Sequence, residues 1–205
     1  MLEVGVLVSG RGSNLEALLK SAERGYIKGA RVAVVISNDP GARALMVARK
    51  HGVKAVALDS SGDSREAYAA KLANVLMENG VAPGKGLVLL AGFMKILPKS
   101  FVDMYEGRMM NIHPSLLPAF PGIRAQHQAL SHGVKVAGCT VHFVVAEVDA
   151  GPIILQKAVP VLDGDDEDAL SARILRQEHK LYPLAVKLFA EGRLRTEGRI
   201  VRREE

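Results

Sequence analysis

The stretch VGVLVSGRGSNLEALL, residues 4–19, carries the features that indicate how this chain folds. It opens with an apolar run, passes through the turn SGRGSN, and ends in leucines spaced three and four residues apart. An unbroken apolar run is typical of a strand buried on both faces, and the leucine spacing is typical of a helix. The stretch therefore predicts a strand, a tight turn and an amphipathic helix in direct succession.

The same alternation recurs along the first half of the chain. Short runs rich in valine and leucine predict further strands at residues 32–36, 53–58 and 87–91. Between the last two, a helical stripe runs from Tyr68 to Leu76 behind a predicted capping box of Asp63 and Glu66. Strands that alternate with helices predict an α/β, Rossmann-like fold, with a mostly parallel central sheet and helices on both faces.

The pattern changes in the second half. Two extended segments, residues 134–146 and 152–160, are joined by a short turn around Asp149, which predicts an antiparallel pair at one edge of the sheet. A long helix is expected to begin near Asp165, where acidic side chains suit the positive end of the helix dipole. With no repeat or linker apparent, we expect one domain over residues 1–205.

Composition narrows the class of protein. Of the 205 residues, 48% are hydrophobic and 24% charged, and no apolar run approaches the roughly 18 residues that a membrane span requires. The single cysteine, Cys139, and the lack of an apolar leader favour a soluble cytoplasmic protein. A net charge of +5 with only 4% aromatic residues favours small anionic substrates over nucleic acid.

The turn SGRGSN, residues 9–14, is a candidate anion site because it leads into a helix N-terminus, where backbone N–H groups point outward. A dinucleotide fingerprint is disfavoured, since Leu15 stands where the third glycine would be. The G-K-[ST] ending of a Walker loop is also missing. The interpretations that stay open are a site for a single phosphate and a tight turn that merely needs glycine.

Two more loops follow predicted strands and should face the same crevice. LAGFMKILP, residues 90–98, offers apolar side chains for a flat ring, although core packing would explain them equally well. In MNIHPSLLP, residues 110–118, alternation in an extended chain places Asn111 and His113 on one side and Ile112 on the other. Two hydrogen-bonding side chains at the carboxyl end of a strand make this segment a candidate catalytic site.

Two carboxylates and one histidine need partners. Asp149, in DAGP, occupies a turn where aspartate is common, but paired with a histidine it would orient an imidazole. Glu178 falls on the apolar face of the last helix and needs either a basic partner or a polar ligand. His142 is predicted to be a core histidine rather than a group supporting a site. No metal or serine-hydrolase motif is apparent, and we expect no metal.

Five motifs together resemble the phosphoribosylglycinamide formyltransferases, folate-dependent enzymes of purine synthesis. They are SGRGSN at 9–14, AGFMKIL at 91–97, NIHPSLLP at 111–118, DAGP at 149–152 and QEHKLYP at 177–183. The third motif is shared by a wider group of formyl-folate enzymes. The resemblance implies a formyltransferase fold and transfer of the formyl group of 10-formyltetrahydrofolate to the amine of glycinamide ribonucleotide. It also implies direct attack through a tetrahedral intermediate, with no metal.

The resemblance also assigns roles to residues. It implies a catalytic set of Asn111, His113 and Asp149, and contacts of Glu178 with the polar body of the ribonucleotide. The phosphate would be held by Gly12, Ser13 and Asn14. The formyl-folate would be bordered by Arg65, Met94, Lys95, Ile96, Leu97 and Asn111. One departure stands out, because Arg124 occupies a position where family members often have histidine, so contacts of that loop are not carried over.

Three alternatives stay open. The chain could be a formyltetrahydrofolate hydrolase, or a formyltransferase that acts on methionyl-tRNA or an amino sugar. By resemblance, the hydrolase would carry an extra N-terminal domain and the tRNA enzyme an extra C-terminal one, for which we expect no room in 205 residues. A sensor that binds phosphate without chemistry would have no reason to combine Asn111, His113 and Asp149. The partners expected are small molecules, with a homodimer as the assembly left open.

Overall fold

The computed structural model describes residues 1–204, and these form a nine-stranded mixed sheet covered by helices. The strands are β1 (Leu2–Val8), β2 (Ala30–Ser37), β3 (Lys54–Ala57), β4 (Leu87–Leu90), β5 (Met109–His113), β6 (Val136–Phe143), β7 (Ile153–Pro160), β8 (Leu194–Glu197) and β9 (Ile200–Arg203). The helices are α1 (Ser13–Glu23), α2 (Arg43–Lys50), α3 (Arg65–Glu78), α4 (Lys99–Met104), α5 (Ala125–Ser131) and α6 (Glu167–Ala190). The single domain expected over residues 1–205 stays a prediction, and its last residue lies outside the described range.

The first five strands are parallel, in the order β3-β2-β1-β4-β5, which confirms the predicted α/β class. Their side chains alternate between two cores. Val6 and Val8 pack on one face with helices α1 and α6, whereas Leu7 packs on the other face with α3 and α4. Because both faces are covered, the buried centres of β1, β2 and β4 are apolar, as the sequence indicated.

The sheet changes direction after β5. Strand β6 runs antiparallel to β5, and β7 runs antiparallel to β6, so the predicted antiparallel half is confirmed. The expectation that this pair ends the sheet is wrong, because the hairpin of β9 and β8 adds two further strands beyond β7. That hairpin contains the arginine-rich C-terminal segment, whose short, mostly exposed strands lack an apolar run.

Two helix starts differ from the prediction by a residue or two. Helix α3 is capped by Ser64, whose hydroxyl accepts a hydrogen bond from the Ala67 N–H at 3.1 Å. The capping box at Asp63 is therefore wrong, and the Asp63 carboxylate instead accepts from Lys71 Nζ at 2.8 Å. Helix α6 begins after Asp166, whose carboxylate caps the Ala169 N–H at 2.8 Å.

Helix α6 is fixed to the centre of the sheet through one buried hydroxyl. Tyr182 Oη lies 3.0 Å from the carbonyl oxygens of both Leu90, the last residue of β4, and Met110, the second residue of β5. Glu178 precedes Tyr182 by one helical turn, so the same anchor sets its position over the carboxyl end of the sheet. Within residues 1–204, no helix is long and apolar enough to cross a membrane.

Candidate active site

The loops after β1 and β4 are joined into one unit by Ser9. Its N–H donates to the Gly92 carbonyl at 3.0 Å, and its hydroxyl accepts from the Met94 N–H at 2.8 Å. Two cavities open beside this junction, each of about 550 Å³. Both cavities are lined by Gly92, Met94, Ile112, Pro114 and Gln126. The two loops that sequence reasoning placed at one crevice therefore lie side by side.

The first cavity is lined by the whole turn from Ser9 to Asn14 and by one face of helix α6. Gly12 caps helix α1 with φ of 81°, and a Cβ added to it would lie 2.8 Å from the Ala44 Cα. A glycine is needed at this position for both reasons. The first N–H groups of α1 have no intrahelical acceptor, so the predicted residues Gly12, Ser13 and Asn14 present donors at the cavity wall.

Glu178 faces this turn from helix α6. Its Oε2 accepts a hydrogen bond from Asn14 Nδ2 at 2.7 Å, and the residue is only 6% exposed. Burial raises the pKa of Glu178, and the Asn14 amide opposes that rise only in part. The hydrogen-bond partner of Glu178, which the sequence left open, is therefore the Asn14 amide rather than a lysine or arginine. Asn14 Oδ1 is itself buried without a hydrogen-bond partner among residues 1–204.

Arg11 is a cavity residue that sequence reasoning did not select. Among the described residues that line the first cavity, it is the one lysine or arginine, and the same lining includes two carboxylates, Asp168 and Glu178. Its position between the two glycines of the turn was the signal that could have identified it. A guanidinium beside a helix N-terminus adds positive potential for an anion.

The second cavity lies beyond the β4 loop. It is lined by the predicted folate-side residues Met94, Lys95, Ile96 and Leu97. Met94 is 72% exposed and Ile96 57% exposed, which is unusual for apolar side chains and leaves them open to a ligand. Leu97, by contrast, also packs in the core beneath α3 and α4. Arg65 begins helix α3 as an exposed residue that lines neither cavity, so its predicted role is unsupported by position.

Asn111, His113 and Asp149 meet at the wall of the second cavity. His113 Nδ1 lies 3.3 Å from Asp149 Oδ2, and Asn111 Nδ2 lies 3.4 Å from Asp149 Oδ1. Asp149 sits in the turn between β6 and β7 with φ of 53°, a left-handed conformation that aspartate tolerates. The Gly122 N–H donates to Asp149 Oδ2 at 2.8 Å, which fixes the carboxylate. The three residues predicted from distant motifs are thus neighbours.

His142 belongs to the same cluster, and sequence reasoning missed it. The sheet register pairs it with Asn111, whose Nδ2 is 3.2 Å from His142 Nε2, and Asp149 Oδ1 is 3.6 Å from the same nitrogen. The His142 Nδ1 donates to the Phe143 carbonyl at 2.8 Å, so Nε2 is left to accept from Asn111. His142 is buried, as predicted, but it supports the site rather than serving only as a core residue.

The protonation of His113 follows from its contacts. Nε2 lies 2.9 Å from the Phe120 carbonyl oxygen, which only accepts, so this nitrogen carries a proton and Nδ1 faces Asp149. Burial lowers the pKa of His113, while the Phe120 carbonyl and Asp149 act in the opposite direction. The imidazole is therefore neutral at neutral pH.

Asp149 is ionised next to that neutral ring. Burial by itself would raise the pKa of Asp149, but its contact with His142 and the hydrogen bond from the Gly122 N–H together outweigh burial and lower it. A neutral base beside a fixed carboxylate can accept a proton at Nδ1, and the carboxylate then stabilises the imidazolium that forms.

The segment that follows Pro118 covers the cluster from one side. It supplies the Phe120 carbonyl and the Gly122 N–H, and its continuation lies near Glu167 at the start of α6. Glu167 Oε2 is 3.7 Å from Arg124 Nη2 and 3.6 Å from His127 Nδ1. No cluster of three or more histidine, cysteine, aspartate or glutamate side chains suited to a metal occurs in the described chain.

The comparisons with known proteins point to one family. The family model described as formyl transferase matches residues 2–186. Phosphoribosylglycinamide formyltransferase of Escherichia coli is 47% identical over 95% of this chain and 90% of its own length. The trifunctional purine biosynthetic protein adenosine-3 of Drosophila melanogaster is 46% identical over 92% of this chain, which spans 14% of that longer protein.

A solved structure gives the same result. Glycinamide ribonucleotide transformylase 1 from Symbiobacterium toebii superimposes with a TM-score of 0.95 at 53% identity, over 100% of this chain and 95% of the other. Sequence and fold therefore agree over the whole region that contains both cavities. The chain belongs to the phosphoribosylglycinamide formyltransferase family, within the formyl transferases.

Proposed function

We propose that this protein transfers the formyl group of 10-formyltetrahydrofolate to the primary amine of glycinamide ribonucleotide, a step of purine synthesis. The observation that carries the proposal is the cluster of Asn111, His113 and Asp149 on the wall of a cavity that adjoins the SGRGSN cavity. An amine held in one cavity and a formyl donor held in the other would meet at their shared residues, beside this cluster.

The first cavity suits the ribonucleotide. We propose that its phosphate binds the N-terminus of α1 at Gly12, Ser13 and Asn14, where the open N–H groups and the positive helix end favour an anion. Arg11 would add a charge-assisted contact. Glu178, held by Asn14 at 2.7 Å, would accept hydrogen bonds from the polar body of the substrate.

The second cavity suits the formyl donor. Its volume of about 550 Å³ falls in the roughly 300–1,000 Å³ range of small-molecule sites. The exposed apolar side chains of Met94 and Ile96 offer a slot for the pterin ring, with Leu97 as its buried floor. Lys95 and Arg124 line the same cavity and are suited to the anionic glutamate tail.

The cluster supplies the groups that formyl transfer needs. When the amine attacks the formyl carbon, negative charge develops on the formyl oxygen, and one positioned donor there is worth about 3 kcal/mol. We assign this role to Asn111, whose 3.4 Å contact with Asp149 is long and readily exchanged for the formyl oxygen.

His113 and Asp149 would move the proton. Nδ1 of the neutral imidazole accepts a proton from the attacking amine, and Asp149 stabilises the resulting cation from 3.3 Å. The same proton is then donated to the departing folate nitrogen as the bond from that nitrogen to the formyl carbon breaks. The bond from the amine nitrogen to the formyl carbon replaces it, so no proton is gained or lost overall.

A formyl-transfer assay tests this function directly. The purified protein is incubated with 10-formyltetrahydrofolate and glycinamide ribonucleotide, and formylated product and free formate are measured separately. We expect product to form only when the ribonucleotide is present, with little formate in a water-only control. Equal formate release without an amine would instead identify a hydrolase, and turnover only with methionyl-tRNA or an amino sugar would identify a different transferase.

The expected setting follows from the same chemistry. We propose a cytoplasmic enzyme, because its single cysteine, Cys139, is buried and unpaired, as suits a reducing compartment. Its partners would be the two small-molecule substrates. The homodimer stays a prediction, which sedimentation of the purified protein would test.

A further inference from the structure

The C-terminal hairpin contacts the turn that carries Asp149. In the turn between β8 and β9, Arg199 donates from Nη2 to the carbonyl oxygen of Ala150 at 3.0 Å. The contact follows from the sheet register, because Ile200 of β9 pairs with Ile153 of β7 immediately after the DAGP turn. A segment that the formyl-transfer chemistry leaves unused therefore reaches the residue next to the catalytic carboxylate.

The two sides of the DAGP turn are held differently. On its far side, Gly151 packs so closely on β6 that an added Cβ would overlap the Phe143 carbonyl oxygen. The Phe143 N–H also donates to the Pro152 carbonyl at 2.9 Å. On the near side, the Ala150 N–H reaches the Glu147 carbonyl only at 3.4 Å, which is a long backbone hydrogen bond. The Arg199 contact is the shorter of the two hydrogen bonds that hold Ala150.

The position of the Asp149 carboxylate depends on this turn. Its backbone is in the left-handed region, with φ of 53°, and its two oxygens must meet the Gly122 N–H, His113 and Asn111 together. A rotation of the turn would move the carboxylate away from His113, with which it makes a contact already as long as 3.3 Å. Side chains that act as a catalytic unit tolerate little displacement.

We propose that Arg199 is a positioning residue, which keeps the Asp149 carboxylate against His113 by anchoring the Ala150 carbonyl. This inference rests on the proposed function, because it gives Asp149 its catalytic role. It also assigns a use to one arginine of the basic C-terminal segment, in which two others, Arg195 and Arg202, pair with Glu197 at 3.3 Å and 2.9 Å.

Kinetics provide the first test, with Arg199→Ala as the variant and Arg202→Ala as the matched control. Both remove one exposed arginine from the same hairpin, but Arg202 pairs with Glu197 rather than with the DAGP turn. We expect Arg199→Ala to lower kcat about tenfold with each KM within about twofold, because positioning acts on the chemical step. Arg199→Lys keeps a donor and should recover part of kcat, while Arg202→Ala should stay within about twofold of the starting protein.

A titration that needs no turnover provides the second test. The ring signals of His113 are followed by NMR against pH and assigned by their loss in His113→Gln. The groups facing this ring are Asp149, His142 and the Phe120 carbonyl. We expect the midpoint to fall by about half a pH unit in Arg199→Ala, because a displaced carboxylate supports the imidazolium less. Removal of the Arg199 charge alone would raise the midpoint, so the direction identifies displacement.

The outcomes are distinct. Unchanged kcat and an unchanged or raised His113 midpoint in Arg199→Ala would overturn the positioning role. If Arg199→Ala lowers the midpoint as much in an Asp149→Asn background, measured against Asp149→Asn alone, as it does in the starting protein, the positioning role is also overturned, since the effect would not act through Asp149. If the starting protein transfers no formyl group, the proposed function fails, while the titration still decides whether Arg199 positions Asp149.

Discussion

The two cavities are built in different ways. One wall of the first cavity is a continuous turn, Ser9 to Asn14, in which backbone N–H groups at the N-terminus of α1 are the hydrogen-bond donors. The wall of the second combines β5, β6 and the DAGP turn, which meet only in the folded sheet. A continuous turn should tolerate side-chain changes unless they alter its backbone, whereas an assembled cluster should depend on every side chain.

The largest effect is expected at the assembled cluster. His113→Ala removes the proposed base and the ring that Asp149 faces, so we predict a loss of about 10³-fold in kcat. Ribonucleotide affinity should change little, because the turn proposed to bind the phosphate, Ser9 to Asn14, lies in the other cavity. Steady-state kinetics and calorimetry measure the two quantities. The control is His51→Ala, since His51 directly follows helix α2 and lines neither cavity. A wild-type kcat in His113→Ala would contradict the mechanism.

The next effect concerns the backbone of the continuous turn. Gly12→Val would place a branched side chain at φ of 81° and within 2.8 Å of the Ala44 Cα, so the turn must move. We predict that ribonucleotide affinity, measured by calorimetry, weakens about 100-fold. Gly10→Ala is the matched control, because nothing lies within 4 Å of a Cβ added at Gly10. Equal affinities for the two variants would show that the turn does not bind the substrate.

The pH dependence of kcat tests the protonation state of His113 without a mutation. Neutral His113 is the proposed base, and burial lowers its pKa below the usual 6.5. Activity should therefore persist as the pH falls through 6.5 and decline, about tenfold per pH unit, only below the lowered pKa. A profile of kcat for His142→Gln and for the starting protein would separate the two histidines. Activity that instead rises as His113 gains a proton would reverse the role assigned to it.

A smaller effect is expected from the charge in the first cavity. Arg11→Ala should raise KM for the ribonucleotide about tenfold with kcat unchanged, because the helix N-terminus still holds the phosphate. The difference should shrink at high salt, since exposed charges are screened. Arg24→Ala, at the other end of the same helix, serves as the control. If the two variants have the same KM at low salt, Arg11 does not contact the substrate.

The smallest effect separates binding from stability at Glu178. Burial raises the pKa of Glu178 above its ordinary value of 4.5. Between pH 4.5 and that raised pKa the folded protein binds more protons than the unfolded chain, so the free energy of unfolding falls as the pH rises. Glu178→Gln removes the buried charge and can keep the Asn14 hydrogen bond, so we predict a gain of about 2 °C in Tm at pH 7. KM for the ribonucleotide should rise about threefold. An unchanged Tm together with an unchanged KM would show that the Glu178 charge affects neither the stability of the fold nor ribonucleotide binding.

Local features of the chain were predictable because neighbouring residues decide them. The apolar run of β1, the glycine turn and the leucine stripe of α1 occur together in the first 19 residues, and each has its own short-range cause. The alternation in β5 likewise places Asn111 and His113 on one side of the strand and Ile112, which packs in the core, on the other. Even the error at α3 is local, because Ser64 caps the helix where Asp63 was expected to do so.

The assembly of the cluster was not predictable from residue patterns alone. Resemblance to known enzymes suggested that Asn111, His113 and Asp149 act together, but nothing in the spacing of the residues fixes their distances. The apolar sequence neighbours of His142 predict a core residue, whereas its contact with Asn111 arises only from the pairing of β5 with β6. The hairpin of β8 and β9 was missed because its strands are short and mostly exposed.

The amino-acid sequence by itself determined the class of the fold, the glycine turn that leads into α1 and the side of β5 on which Asn111 and His113 lie. These features depend on interactions between residues a few positions apart, which do not require the tertiary fold. Only the tertiary structure decided that Asp149 reaches His113, that His142 joins them and that Arg199 contacts the DAGP turn. Those contacts require strand register and helix packing over long separations, and burial of the two apolar cores selects that arrangement for the chain as a whole.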